Sequence, residues 1–375
     1  MIPNAIRNVI LISGHYLLSK RRAGFHHLAE AYWDAGWNVT FVTAPISFLS
    51  WLRRDHRFAY PVRSEANRFV PVRERLTSFV LMTAMHPVSL RSALANRIAA
   101  PVFERYGRTS LDLLADGLAE ADLVIFEGSA ALLLVDRVRS MATRARLVYR
   151  ASDDLRRLGL NPLILDAEAR AVRRVDLVSV PTVHIAQALA PFGPVHVHPP
   201  GIDKKAFDRP TSSPYTGGVA AVFAGVSPFF DYASLATAAE LAPHVSFHVI
   251  GPRPRPAPEN VVFHPEMPFG ELVPYLRFAT FALLFFPPGD ASISLGHGNK
   301  VAQYSYCRLP IVAPVHLEVE RANMCVFEHG DSESLRHALA EAERMPHSPA
   351  FAEGITSSAE LAAILAGAAL ETGDP

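Results

Sequence analysis

Cysteine is nearly absent. Two residues, Cys307 and Cys325, stand in a chain of 375, with no CxxC spacing. A disulfide framework is excluded, and a reducing compartment fits. An excess of charge of one sign is also missing. The 36 Lys and Arg residues balance 36 Asp and Glu residues, for a formal net charge of +0. No overall field therefore favours nucleic acid, and any anion site must be local. No uncharged apolar run reaches the roughly 18 residues expected of a spanning helix. The opening MIPNAIRNVILISGHYLLSKRR has no long apolar run followed by a small-residue cleavage site. A cytoplasmic chain is expected, which leaves contact with a membrane surface open. No GxGxxG follows either candidate opening strand and no GxxxxGK[ST] occurs, so NAD-linked and P-loop chemistry lose most of their weight. DxD, HExxH and Cys/His clusters are missing too, so neither a metal nor a cofactor is expected. His26 and His27 are adjacent, on different faces of a helix, and read as ordinary helix residues.

What is present is apolar and periodic. Half the residues are hydrophobic and 19% are charged, which suits a well-filled core. Short β-rich runs alternate with helical stretches. Strands are expected at Asn8–Ser13, Asn38–Thr43, Asp122–Glu127, Arg146–Arg150, Asp176–Val180 and Val195–His198. Helices are expected at Gly24–Ala35, Ala130–Met141 and Leu163–Arg174. A linker rich in Pro, Gly and Ser follows, and the pattern restarts at Gly218–Gly225. It continues through Ser246–Gly251, Asn260–Pro265, Thr280–Phe286 and Pro310–Pro314, with helices at Tyr232–Leu241 and Asn299–Tyr306. Near-continuous apolar strands separated by helices indicate parallel sheets covered on both faces. The expected fold class is α/β, with two Rossmann-like doubly wound domains facing a cleft. The expected boundaries are 1–200, 201–355, and a C-terminal helix and tail, 356–375, that could pack back on the first domain.

In open parallel sheets ligands bind beyond the carboxyl ends of the strands. The richest such segment is SLGHGNKVAQYSYCRLPIVAP, Ser294–Pro314. A glycine-containing loop enters a helix at Asn299, and backbone N–H groups at a helix N-terminus attract phosphate. Lys300 places a cation in the first turn, against the helix dipole, so it calls for an anionic ligand. Gln303, three residues on, can face the same ligand, with Tyr304 beside it. A solvated surface lysine is the plainer alternative.

The pattern NKxxQYxxxxLPIV resembles the donor-binding segment of GT-B glycosyltransferases, with Gln303 where glutamate is common and Arg308 where glycine is usual. Further segments are SGHYLLSKRRAGFHHLAE, LVIFEGSAA, RLVYRASDDL, SFHVIG and PEM. Together with NKVAQY they resemble, in order across both domains, the GumK-like bacterial glucuronosyltransferases of xanthan-type exopolysaccharide synthesis. The resemblance is weak over 44–118 and beyond Glu328. It implies GT-B architecture and an inverting, metal-independent transfer from a UDP-sugar, UDP-glucuronate, to a polyprenyl-linked oligosaccharide. It also implies that Asp153 is the general base. A positioned carboxylate at the end of a strand is suited to that task, worth about 10²–10⁴-fold. Asp154 beside it could raise the basicity by like-charge repulsion. The plainer reading is that Ser152-Asp153 caps the next helix. His15, ending the first strand, is the rival base. Asp203, Asp231, Glu266 and Phe286 carry over as donor-binding positions, Phe286 with loss of the family's tyrosine hydroxyl. The family's methionine falls at Ser227 or Pro228, and Arg21 or Arg22 could meet a sugar carboxylate.

Two segments mix apolar residues with arginine: Ile46–Phe58, with Arg53, Arg54 and Arg57, and Leu76–Phe103, with Arg91 and Arg97. Such segments can lie in an anionic membrane surface, which makes peripheral contact with the inner face of the cell membrane an expectation. Core helices are the alternative for the second. Two other functions fit the same architecture: a sugar-nucleotide 2-epimerase, and a catalytically silent partner protein.

Overall fold

The computed structural model describes residues 8–20, 22–225, 230–289 and 298–371. The chain forms two compact units, Met1–Pro199 with Ser358–Pro375, and Pro200–Ser357.

The first unit holds eight strands: β1 (Asn8–Ser13), β2 (Asn38–Ser47), β3 (Phe69–Arg73), β4 (Leu76–Thr83), β5 (Leu123–Glu127), β6 (Arg146–Arg150), β7 (Leu177–Val180) and β8 (His196–Val197). Their order in the sheet is β3-β4-β2-β1-β5-β6-β7-β8. All pairs are parallel except β3 with β4. Alternate residues of each strand enter opposite cores, as the two-residue period of a strand requires. Ile10, Ile12, Val124 and Phe126 fill one layer. Val9, Leu11, Leu123 and Ile125 fill the other, together with Leu361, Ala362, Leu365 and Ala366 of the C-terminal helix Ser358–Glu371. That helix lies against helix Gly24–Asp34, where the Tyr32 hydroxyl donates to the Ala362 carbonyl at 3.0 Å.

The second unit is a six-stranded parallel sheet: β9 (Val219–Ala224), β10 (Val245–Ile250), β11 (Val261–His264), β12 (Phe281–Leu283), β13 (Ile311–Pro314) and β14 (Met324–Phe327), in the order β11-β10-β9-β12-β13-β14. Strand order reverses between β1 and β5 in one sheet and between β9 and β12 in the other. Connections leave to opposite sides at such a point, which opens a crevice at the strands' carboxyl ends.

Two expectations fail. Leu76–Thr83 is not part of a helix. It is β4, paired with β2, with Leu76, Phe79, Val80 and Leu81 buried. Only Ala93–Glu104 of that segment forms an α-helix. Arg57 is not a surface cation. It is 9% exposed, bound by Asp55 and donating to the carbonyls of Gly14 and Pro45.

Candidate active site

In the first unit the turns after β1, β5 and β6 meet at Glu127, the last residue of β5. One carboxylate oxygen accepts from the Ser13 hydroxyl at 2.5 Å and from the Gly14 N–H at 3.1 Å. The other accepts from the Ser152 hydroxyl at 3.5 Å and lies 3.7 Å from Nε2 of His15. His15 is anchored from behind, its N–H donating to the Ser13 hydroxyl at 3.1 Å. Asp153 follows Ser152 and is half-buried. Next to it, Asp154 caps the 3₁₀ turn Leu155–Arg157 through the Arg156 N–H. Its carboxylate also accepts from the Arg156 and Arg157 guanidinium groups. Burial pushes its pKa up, but the two arginines outweigh this and hold it below the usual carboxylate range. Asp154 is therefore an ion-paired cap. Beneath this turn, Tyr149 donates to Glu168 at 2.5 Å, and burial pushes the Glu168 carboxyl up to about 7.

In the second unit, helix Asn299–Tyr306 begins at Gly298, after β12, and this N-cap glycine has no side chain to cap the first N–H groups. The Lys300 stem runs over Gly225, where an added Cβ would lie 3.2 Å from its Cε. Its ammonium sits 5.5 Å from the centre of the Phe286 ring. Gly251, with φ of +98°, closes on Gly225 so tightly that a Cβ would fall on the Gly225 carbonyl oxygen. This is a place where only glycine fits. Asp231 caps helix Tyr232–Leu241 through the N–H groups of Ala233 and Ser234. It also accepts from the Ser234 hydroxyl at 2.6 Å and bonds Nε2 of His329 at 2.8 Å. Burial works against its charge, and the Ser234 and His329 contacts hold its pKa down. His316, after β13, lies 5.8 Å from the His329 ring, with its Nε2 buried and unpaired. Among the described residues, no group of three His, Cys, Asp or Glu side chains could hold a metal ion.

Residues 11–181 match the family described as glucuronosyltransferase GumK, N-terminal domain. Over 341 residues, 90% of this chain and 84% of the other, the sequence is 25% identical to a UDP-glucuronate:glycolipid 2-beta-glucuronosyltransferase of Xanthomonas campestris. The chain is GumK-like. Its fold is GT-B. Anabaena HepE, solved with UDP, superposes with a TM-score of 0.57 at 15% identity, covering 98% of this chain and 97% of that one. Arabidopsis thaliana UGT89C1, solved with UDP-L-rhamnose, gives 0.51 at 14%, covering 97% and 99%. The family match and the Xanthomonas relative, taken with this fold, make the chain a glycosyltransferase.

The expected residues of this GumK-like chain fall into three groups. In the first unit, His15 and Asp153 stand on turns joined through Glu127. In the second, Asn299, Lys300 and Gln303 occupy the first turns of their helix and are half-buried. Tyr304 and Phe286 are in the core, at 0% and 1% exposure. The Tyr304 phenol accepts from the Ala224 N–H at 3.0 Å, tying the helix to the end of β9. Glu266 is exposed after β11, and Asp203 caps helix Lys204–Asp208 through the Ala206 N–H. Arg22 is held by Glu30 at 2.8 Å. Arg21, Ser227, Pro228 and the loop 294–297 lie outside the described residues. Glu127, His316 and His329 were not singled out from the sequence. Glu127 did carry a signal: a lone charge ending an otherwise apolar strand.

Proposed function

We propose that the protein is an inverting, metal-independent glucuronosyltransferase acting on UDP-glucuronate and a polyprenyl-linked oligosaccharide at the membrane surface. The observation that carries the donor assignment is Lys300 lying over Gly225 in the first turn of a helix whose N-cap, Gly298, has no side chain to offer its leading N–H groups. Those N–H groups and the ammonium suit a diphosphate, whose developing charge needs fixed donors when the sugar bond breaks. Asp153 supplies the base. The resemblance assigns that role to it, and its place on the turn after β6, half-buried beside Ser152, suits a carboxylate that takes the acceptor's hydroxyl proton. The Xanthomonas relative's name, with its UDP-glucuronate and glycolipid, supports the choice of substrates.

The test is nucleotide binding by calorimetry alongside transfer to an extracted lipid-linked oligosaccharide. Lys300→Ala should weaken UDP binding about tenfold or more, the scale of one lost charge-assisted contact. Asp153→Ala should bind UDP as wild type and lose transfer by about 10²-fold or more. Normal UDP binding by Lys300→Ala would move the donor site elsewhere. Product analysis with UDP-glucuronate alone separates transfer from epimerisation.

A face of the first unit suits the membrane contact. Phe48, Leu94 and Ile98 are 60%, 68% and 71% exposed. They sit on helices Phe48–Leu52 and Ala93–Glu104, with exposed Arg53, Arg54, Arg91 and Arg97 on or next to them. Arg53 ties the first helix to the segment before the second by donating to the Ser89 carbonyl at 3.0 Å. Among the described residues no helix is long and apolar enough to cross a membrane, so a surface mode is the one these helices support.

A further inference from the structure

Glu127 is a carboxylate at 8% exposure, and among the described residues no lysine or arginine bonds to it. Burying a carboxylate costs free energy unless charge or hydrogen bonds compensate. Here the compensation is unevenly divided. One oxygen is saturated by the Ser13 hydroxyl and the Gly14 N–H, both in the turn that carries His15. The other has, among the described residues, the long Ser152 contact and the His15 imidazole at 3.7 Å, while the Arg57 guanidinium reaches the same turn through the Gly14 carbonyl at 2.9 Å. A residue needed only to pin the β1 turn would be served by an uncharged acceptor. A charge left half-compensated beside two candidate bases has an electrostatic effect on them.

We infer that Glu127 is a positioning residue of the transfer reaction. It fixes the turn bearing His15 against the turn bearing Asp153, and its negative charge sets the pH at which the base works. The inference rests on the proposed transferase reading and adds to it a residue that neither the resemblance nor the relatives assign. Glu127 need not touch the substrates. It acts through the geometry of the Ser13–His15 and Ser152–Asp153 turns and through its field. Removing a negative charge beside a base makes the base easier to deprotonate, whether that base is Asp153 or His15.

The test uses the full chain, with UDP-glucuronate and a detergent-extracted polyprenyl-diphosphate oligosaccharide, following UDP release. Glu127→Gln keeps the shape and removes the charge. Its kcat is expected to fall by about 10–100-fold, the cost of loosened geometry. UDP affinity should stay at the wild-type value, and the acid limb of the kcat/KM profile should move to lower pH. Glu127→Asp keeps the charge at a shorter reach, so kcat should fall while the acid limb stays at its wild-type position. Should Glu127→Gln fail to fold, Glu127→Asp carries the test through its lowered kcat. Wild-type kcat in both variants overturns the inference. So does a kcat loss in Glu127→Gln that leaves the acid limb unmoved, because a purely structural role gives that result. If the wild type itself releases no UDP, the transferase reading fails and this inference fails with it. If the wild type turns over and the variants match it, only the inference fails.

Discussion

Of two aspartates side by side, Asp153 and Asp154, the second is held as a cap by the guanidinium groups of Arg156 and Arg157, while the proposed reaction assigns the proton transfer to the first. Sequence reasoning could place an acid at the end of β6 but could not say which of the pair would be the cap. That depended on where Arg156 and Arg157 come to lie after the 3₁₀ turn forms. His329 was hidden for a similar reason: its partner Asp231 is 98 residues away. Below the pair, Glu168 faces Tyr149, Asp154 and Arg156. Its carboxyl, raised from 4.5 to about 7, holds its proton better in the folded chain than in the unfolded one. The folded state therefore binds more protons between those values, and stability falls as pH rises through that window. Glu168→Gln should remove this dependence. Its stability is expected to exceed the wild type's at pH 8 by on the order of 3 kcal/mol at most, read as a higher melting temperature. The two should converge near pH 4. A wild-type melting temperature that is flat between pH 4 and 8 would contradict this.

Among the elements that sequence periodicity identified well, each has a buried apolar face and a clear break at its ends. Helices Tyr232–Leu241 and Asn299–Tyr306 and strand Asn8–Ser13 have the ends expected of them. The failures share a physical cause. Strand β3 has the pattern of an edge strand, with exposed and half-buried positions alternating. Strand β4 reads as an apolar run that a helix could equally carry, and only pairing with β2 decides between them. Separating β4 from the helix after it also sharpens the membrane proposal, because it leaves helix Ala93–Glu104 with Leu94 and Ile98 facing outward. Replacing both by glutamate should reduce sedimentation with phosphatidylglycerol vesicles several-fold. Each introduced charge both removes apolar contact and repels the anionic surface. UDP affinity should not change. Equal sedimentation of both proteins would remove this face from consideration.

At the scale of the whole molecule, the C-terminal helix belongs to the unit that the first 199 residues build. Leu361, Ala362, Leu365 and Ala366 are each at most 4% exposed, packed in the layer that holds Leu11 and Phe25. Losing two buried leucines from a core costs about 4–10 kcal/mol by the usual measure. That is comparable with the entire stability of a domain. A chain ending at Ser357 should therefore lose the cooperative melting of its first unit while the second still melts. Calorimetric scans with and without UDP distinguish the two transitions, since nucleotide stabilises the unit that binds it. Melting of both units as in wild type would rule out this role for the helix. The same arrangement constrains biosynthesis. A ribosome must translate 158 further residues, Pro200–Ser357, before this helix emerges, a wait on the order of ten seconds at ordinary elongation rates. During that interval the nascent first sheet carries an uncovered apolar face, a natural client surface for chaperones. Its closure waits for the second unit to be made, even though almost all of its own residues are made first.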